Sequence, residues 1–286
     1  MSKKELEIIA RTHEQLGMCI TAERLKEDLQ KLGVYPGITL VVHCSLSKIG
    51  WICGGTVTVI QVLLDLLGPE GTLAMPSHTA DNSDPKDWQN PAVPSEWFDT
   101  IRQSMPPYQA SVTPTFNMGK VAETFRHWPG VQRSEHPLYS FMALGPKAEW
   151  ITRSHLECCG EQSPLARLYQ CKDNGYVLLL GVQHRNNSSI HLGEYRFQKN
   201  NHIKQEFIVG ASIVDSQSNT RQWFEWNDYD YPAEDFNDLG NAFDSIEGNT
   251  QIGQVGLAQS RLMKQYLLVD FATHWFNNHR SKQQIN

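Results

Sequence analysis

Three observations in this 286-residue chain predict an α/β fold. A strand, a helix and a second strand follow one another within residues 38–76. A continuous aliphatic run, Tyr176-Val177-Leu178-Leu179-Leu180-Gly181-Val182, then opens through a polar loop onto the start of another helix. The third is a hydrophobic content of 40%, enough at this length to bury a large core. The length suits one large α/β domain or two small ones. No repeat, low-complexity tract or linker interrupts the chain, so residues 1–286 are read as one domain.

Residues 3–32 are rich in Glu, Leu, Lys and Gln at helical spacing, and Thr21 is placed to cap a second helix through Glu23, Arg24, Leu25 and Lys26. Gly33 and Gly37 end it. Ile38-Thr39-Leu40-Val41-Val42-His43 is a β-branched strand, after which Ser45, Leu46 and Ser47 lead through Gly50 and Gly54-Gly55 into an amphipathic helix over 56–67. Gly68-Pro69-Glu70-Gly71 stops that helix, and Thr72-Leu73-Ala74-Met75-Pro76 completes a parallel βαβ unit. Residues 77–109 lack periodicity and are rich in Asp, Asn, Pro and Trp; long irregular loops of this kind are often functional. Helices are expected over 118–128 and 146–155, and strands over 141–145 and 177–182. Phe207-Ile208-Val209 and Gln222-Trp223-Phe224-Glu225-Trp226 form an antiparallel pair. Residues 256–276 read as a long closing helix with Leu262, Tyr266, Val269 and Trp275 on its apolar side.

Composition narrows the function. The N-terminus lacks the apolar core of a signal peptide and no apolar run approaches membrane-spanning length, so a soluble, cytoplasmic protein without membrane attachment is expected. The six cysteines show no paired C-x-x-C spacing and two of them, Cys158 and Cys159, are adjacent, which argues for reduced, mostly buried thiols over a zinc knuckle or disulfide framework. A net charge of −6, with eight acidic and no basic side chains in residues 222–260, makes nucleic acid an unsuitable partner. That acidic segment is a solvated surface or a face that attracts a cationic ligand.

Chemistry concentrates after the aliphatic run. Ser188 and Ser189 can cap a new helix, and His191 and Glu194, three residues apart on its first turn, share one face directed at the carboxyl end of the preceding strand. Open α/β sheets bind ligands there. His191 is a candidate general base, although a histidine satisfied by a neighbouring carbonyl beside a solvated glutamate fits the same segment. The Gly50-x-x-x-Gly54-Gly55-Thr56 turn joins a strand to a helix whose first N–H groups would attract phosphate, but it is neither a Walker loop nor the dinucleotide fingerprint. Two other readings remain. One is a metal-dependent hydrolase using His191, Glu194 and a remote histidine such as His43, His78 or His136; the other is a cysteine hydrolase built on Cys44.

The order of these segments resembles the aminoglycoside 3-N-acetyltransferase family over nearly the whole chain. The resemblance rests on Val42-His43-Cys44-Ser45-Leu46 with Ile49-Gly50, Gly54-Gly55 with Thr58-Val59, and Gly68-Pro69-Glu70-Gly71-Thr72 with Met75-Pro76. It continues through Arg133-Ser134, His136-Pro137 and Ser140, then Ser163-Pro164 with Arg167-Leu168, Leu178-Leu179-Leu180-Gly181, His191-Leu192-x-Glu194 and Gln254-Val255-Gly256-x-Ala258. Asp81-Asn82-Ser83-Asp84-Pro85 with Trp88 looks like the subgroup of Bacillus-type and environmental members.

The resemblance implies a mixed central sheet between helical layers, distinct from the small general acetyltransferase fold, acting as a monomer or homodimer. It implies transfer of acetyl from acetyl-coenzyme A to the 3-amino group of an aminoglycoside, with no metal, and hence antibiotic resistance. An alkyl amine of pKa roughly 10 is protonated at neutral pH, so a base must act. That base falls on His191, with Asp228 at the family's orienting glutamate; the shorter side chain leaves Glu225 and Asp230 as alternatives. Coenzyme A is placed against His43, Ser45, Gly54, Gly55, Thr56, Ser140 and Ser163. The polycationic acceptor is placed among Asp81, Asp84, Glu194, Glu225 and Asp230. An acceptor amine that is not an antibiotic remains an alternative. Gly193 stands where the family often carries alanine, a variation expected to be harmless.

Overall fold

The computed structural model describes residues 2–215 and 217–280. Two amphipathic helices come first, α1 (Lys3–Leu16) and α2 (Ala22–Leu32). The hydroxyls of Ser2 and Thr21 accept the N–H groups of Glu5 and Arg24 at their starts, and Gly17 and Gly33 end them in the left-handed region. The βαβ unit follows as β1 (Thr39–Cys44), the short α3 (Leu46–Ile49), α4 (Gly55–Leu67) and β2 (Thr72–Pro76). β1 and β2 pair in parallel, Leu40 opposite Leu73. Residues 77–109 form short 3₁₀ turns and α5 (Phe98–Ser104). Then come α6 (Gly119–Arg126), β3 (Gln132–Arg133), β4 (Phe141–Leu144), α7 (Ala148–Thr152), α8 (Pro164–Gln170), β5 (Gly175–Leu180) and α9 (Ile190–Asn200).

The antiparallel pair read from sequence is an eight-residue ribbon, β6 (Phe207–Val214) with β7 (Arg221–Asp228), Val209 opposite Trp226. The irregular 77–109 segment lies against it: Ser83 bridges to Ala211, and the Tyr108 N–H donates to the Ser212 carbonyl at 2.9 Å. After α10 (Phe236–Asp244) the chain departs from expectation. Residues 256–264 are not helical; β8 (Thr250–Val255) and β9 (Ala258–Lys264) form a hairpin, and only then does α11 (Gln265–His279) begin. Gly256 turns the hairpin at φ +58°. β9 pairs antiparallel with β5, Leu262 opposite Leu178, so Leu262 packs from a strand while Val269 packs from the helix. Both positions are apolar, which is why helical spacing alone misled.

The seven strands run in the order β3-β4-β2-β1-β5-β9-β8, parallel at the centre and antiparallel on both flanks. Alternation along the central strands divides the core. Leu40 and Val42 of β1 and Leu178 and Leu180 of β5 face a cluster formed with α2, α4 and α6, whereas Val41, Val177 and Leu179 face the opposite cluster with α8, α9, α10 and α11. This is the mixed sheet between helical layers that the resemblance implies.

Gly193 lies tight against α11: a Cβ there would stand 2.7 Å from the Ala272 Cβ and 2.9 Å from the Val269 carbonyl oxygen, so alanine is not harmless in this chain. All six cysteines are free; Cys158 and Cys159 are buried, Cys44 and Cys171 are half-buried, and Cys19 and Cys53 are exposed, against the expectation of mostly buried thiols.

Candidate active site

β1 leaves the sheet toward β2 on one side and β5 leaves toward β9 on the other, so a crevice opens at their carboxyl ends. A cavity of about 1300 Å³ occupies it, walled by His43, Cys44 and Ser45 after β1, Pro76 and His78 after β2, Gly181 and Gln183 after β5, and His191 from α9. α1 covers part of it. The charged lining is basic: Lys4, Arg11, Lys48, Lys120, Arg185 and Arg261 against Glu5, with Arg261 engaged by Asp244 at 2.8 Å. The Arg11 Nε is buried without a hydrogen-bond partner among the described residues, while its Nη2 donates to the Ser47 carbonyl.

Asn187, rather than the serines, organises the entrance to α9. Its Oδ1 accepts the Ser189 N–H at 3.2 Å, whereas Ser189 makes no side-chain cap and its buried Oγ has no partner. One helical turn on, His191 Nδ1 lies 2.7 Å from Glu194 Oε2. Glu194 is fully buried, and its other oxygen accepts from the guanidinium of Arg280. Arg280 in turn donates to both Asp235 oxygens at 2.6 and 2.8 Å. An ionised carboxylate only accepts, so with Glu194 paired to the Arg280 cation Nδ1 is the donor in this bond and Nε2 is the ring nitrogen left for the cavity. The ring is held against Tyr231 at 5.6 Å and Phe236 at 4.7 Å between centroids.

The carboxylate expected to orient His191 is therefore misassigned. Asp228 turns elsewhere: its Oδ1 accepts the Tyr229 N–H at 2.7 Å and the Tyr231 hydroxyl at 3.2 Å. Through Tyr231 it supports the ring packed on His191 without bonding the imidazole. Glu194, expected to hold the acceptor, has both oxygens engaged and no exposure. Neither is it open as a metal ligand.

The remaining expected residues separate. His43, Ser45 and Gly55 line the cavity, whereas Gly54, Thr56, Ser140 and Ser163 are not among its lining residues. Thr56 Oγ1 accepts from Thr124, and the buried Ser163 hydroxyl donates to the Gly160 carbonyl at 2.6 Å. Ser140 belongs to an internal network, donating to the Ser77 carbonyl at 2.7 Å and accepting from Arg133 Nε at 3.1 Å. Asp84 is buried, caps its own turn and pairs with Arg102 at 2.9 Å, so it is not free to hold a cation. Asp81 and Glu225 are exposed and off the cavity wall. Asp230 lines a separate cavity of about 660 Å³ beside Arg280.

Burial sets the protonation of three other histidines. It lowers His43 and His78 to about 3, with the nearby His191 adding to it, so both are neutral, and both have buried Nε2 atoms without partners. His136 falls to about 4 for the same first reason; its Nδ1 accepts the backbone N–H groups of Leu138 and Tyr139. Burial pushes the Cys44 thiol up to about 12, the opposite of what a thiolate nucleophile needs. Sequence reasoning missed Arg280, Asp235, Tyr231 and Phe236. Arg280 lies 86 residues beyond Glu194, a separation no local pattern spans.

The described geometry has counterparts. The chain is 45% identical over 265 residues to the SPbeta prophage-derived aminoglycoside N(3')-acetyltransferase-like protein YokD of Bacillus subtilis (strain 168), covering 92% of this chain and 94% of that protein. The crystal structure of YokD superposes with a TM-score of 0.89 at 42% identity, covering 96% and 98% of the two chains. AAC-IIIb, solved as a binary complex with CoASH, gives a TM-score of 0.76 at 27% identity over 91% and 97%. AAC-VIa bound to sisomicin gives 0.77 at 25% over 91% and 98%. The model of the aminoglycoside 3-N-acetyltransferase family matches residues 41–277, from the middle of β1 to the last turns of α11, and this chain belongs to that family.

Proposed function

We propose that residues 1–286 act as one cytoplasmic enzyme that transfers acetyl from acetyl-coenzyme A to the 3-amino group of a 2-deoxystreptamine aminoglycoside, with His191 as general base and no metal. The observation that carries this reading is the 2.7 Å bond from His191 Nδ1, on the wall of a cation-lined cavity, to a fully buried Glu194 behind it. No helix among the described residues is long and apolar enough to cross a membrane.

The residues present fit coenzyme A. Lys4, Arg11, Lys48, Lys120 and Arg185 supply positive charge for its phosphates, the unpartnered Arg11 Nε supplies a donor, and Gly55 leaves open space at the start of α4. When bound, acetyl-coenzyme A supplies the thioester whose carbonyl the amine attacks. His191 Nε2 accepts the proton of the attacking amine as the N–C bond forms and the C–S bond breaks, and Glu194 stabilises the imidazolium that results. The imidazolium returns that proton to the departing thiolate, which leaves as the thiol and restores His191. His43 and His78, lowered to about 3 by burial, are neutral at working pH and far weaker bases than an ordinary imidazole, so neither takes the proton in place of His191.

A second reading, transfer to an amine that is not an antibiotic, is favoured by one observation. Of the five carboxylates expected to hold a polycation, Asp84 and Glu194 are engaged inside the protein and Asp81, Glu225 and Asp230 lie off the main cavity. Thiol release from acetyl-coenzyme A, measured with a panel of aminoglycosides and with simple amines as controls, tests both. Release with aminoglycosides, and acetate located on N3 of the product, supports the first. Release with simple amines alone supports the second.

A further inference from the structure

The carboxylate that orients His191 is itself held by a residue that lies beyond the segment matched by the family model. Arg280 follows α11 and meets the Glu194 oxygen that His191 does not use. Its guanidinium is fixed on three sides: Nε and Nη2 bind the two oxygens of Asp235 at 2.8 and 2.6 Å, Nη2 also donates to the Pro232 carbonyl at 3.0 Å, and the plane stacks over Phe276 at 4.0 Å. Nη1 is left for Glu194 Oε1. Glu194 Oε2 is thereby left for His191 Nδ1.

We propose that Arg280 is a positioning residue for acetyl transfer, holding Glu194 ionised and in the rotamer that keeps the His191 proton on Nδ1. Two physical requirements lead to this role. A carboxylate fully removed from water needs a compensating charge, and the neutral imidazole at Oε2 does not supply one. A carboxylate free to rotate about its last torsion would also present either oxygen to His191 at changing angles. A planar fork anchored on Asp235 removes that freedom, which the single ammonium of lysine would not.

This inference rests on the reading of His191 as the base, and the experiment separates the two. Steady-state kinetics on wild type, Arg280→Ala, Arg280→Lys and Asp235→Asn are combined with ¹⁵N spectra of the His191 imidazole in the same preparations. Arg280→Ala should lower kcat by roughly ten- to a hundredfold, the range usual for residues that orient a working side chain, with the KM for acetyl-coenzyme A changed by less than about twofold. Added guanidinium should restore part of the loss, and ammonium should not. Arg280→Lys and Asp235→Asn should fall between wild type and alanine. The spectra should show an Nδ1–H tautomer in wild type and a mixture in Arg280→Ala.

An Arg280→Ala enzyme with kcat within about twofold of wild type and an unchanged imidazole spectrum overturns the proposal. Should Arg280→Ala fail to fold, Arg280→Lys decides: wild-type kcat and spectrum there overturn it, and a lowered kcat with mixed tautomers supports it. If wild type releases no thiol with any amine, the general-base reading fails, and the tautomer spectra alone decide whether Arg280 positions the pair.

Discussion

His191 Nδ1 and Glu194 Oε2 are 2.7 Å apart, one helical turn from each other on α9. The pair therefore moves as one rigid unit, and the side chain that sets the tautomer of the base is carried by the same helix as the base. His191→Ala should lower kcat by about 10²–10⁴-fold while coenzyme A binding, followed by calorimetry, stays near wild type. Glu194→Gln should lose a comparable amount. Arg280 will draw the amide oxygen, turning the NH₂ toward His191 and forcing the proton to Nε2. Asp228→Asn keeps an acceptor for the Tyr229 N–H and the Tyr231 hydroxyl and should hold kcat within a few-fold. A larger kcat loss in Asp228→Asn than in Glu194→Gln would reverse this assignment.

Gly55 tests where the phosphates lie. It lines the cavity at φ +58°, and a Cβ built there meets nothing within 4 Å. Asp and Asn both tolerate the left-handed region, so the two variants differ chiefly in charge. Gly55→Asp should raise the coenzyme A Kd by about tenfold or more, and Gly55→Asn by less than about threefold, with the gap narrowing as salt is added. Equal effects of the two substitutions would move the phosphates away from the start of α4.

The buried histidines predict acid sensitivity. His43 and His78 are lowered to about 3 and His136 to about 4, each first by burial. In the unfolded chain an imidazole titrates near 6.5, so below that pH the unfolded state binds protons that the fold refuses. Stability is full above about pH 6.5 and declines as pH falls toward 3. At pH 5 His43, His78 and His136 each cost on the order of 2 kcal/mol. Thermal unfolding should show Tm dropping steeply between pH 6.5 and 5, and His136→Gln should make that slope shallower. A Tm that does not change over this interval would contradict neutral burial.

Gly193→Ala probes the seam between α9 and α11. With 2.7 Å to the Ala272 Cβ and 2.9 Å to the Val269 oxygen, the added methyl must push the helices apart. Overpacking of this kind costs about 1–3 kcal/mol, so Tm should fall by several degrees. Because His191 rides on α9 and Arg280 follows α11, kcat should fall as well. Gly193→Ala combined with Ala272→Gly should recover part of both, since the Val269 oxygen stays close; no recovery would place the strain on that backbone contact.

Much of this protein was legible locally. The starts of α1 and α2, the strand–helix–strand unit ending at Pro76, the β6–β7 pair and the helix bearing His191 and Glu194 follow from residue runs and their Gly, Pro, Ser and Thr boundaries, which act over a few residues. The order of those segments was enough to identify the family, because a motif is a property of the chain. The hairpin over 250–264 was not legible: Leu262, Tyr266 and Val269 satisfy helical spacing, and only the open edge of β5 favours a strand there. The partner of His191 was misread for the same kind of reason: the resemblance implies Asp228, with Glu225 and Asp230 as alternatives, and places Glu194 at the polycationic acceptor. All four carboxylates are chemically interchangeable as hydrogen-bond acceptors, and what commits Glu194 to Nδ1 is its burial and Arg280 arriving from 86 residues away. Local sequence determined which groups could do the chemistry, and long-range packing decided which of them meet, since burial and charge pairing are properties of the assembled core and not of any segment within it.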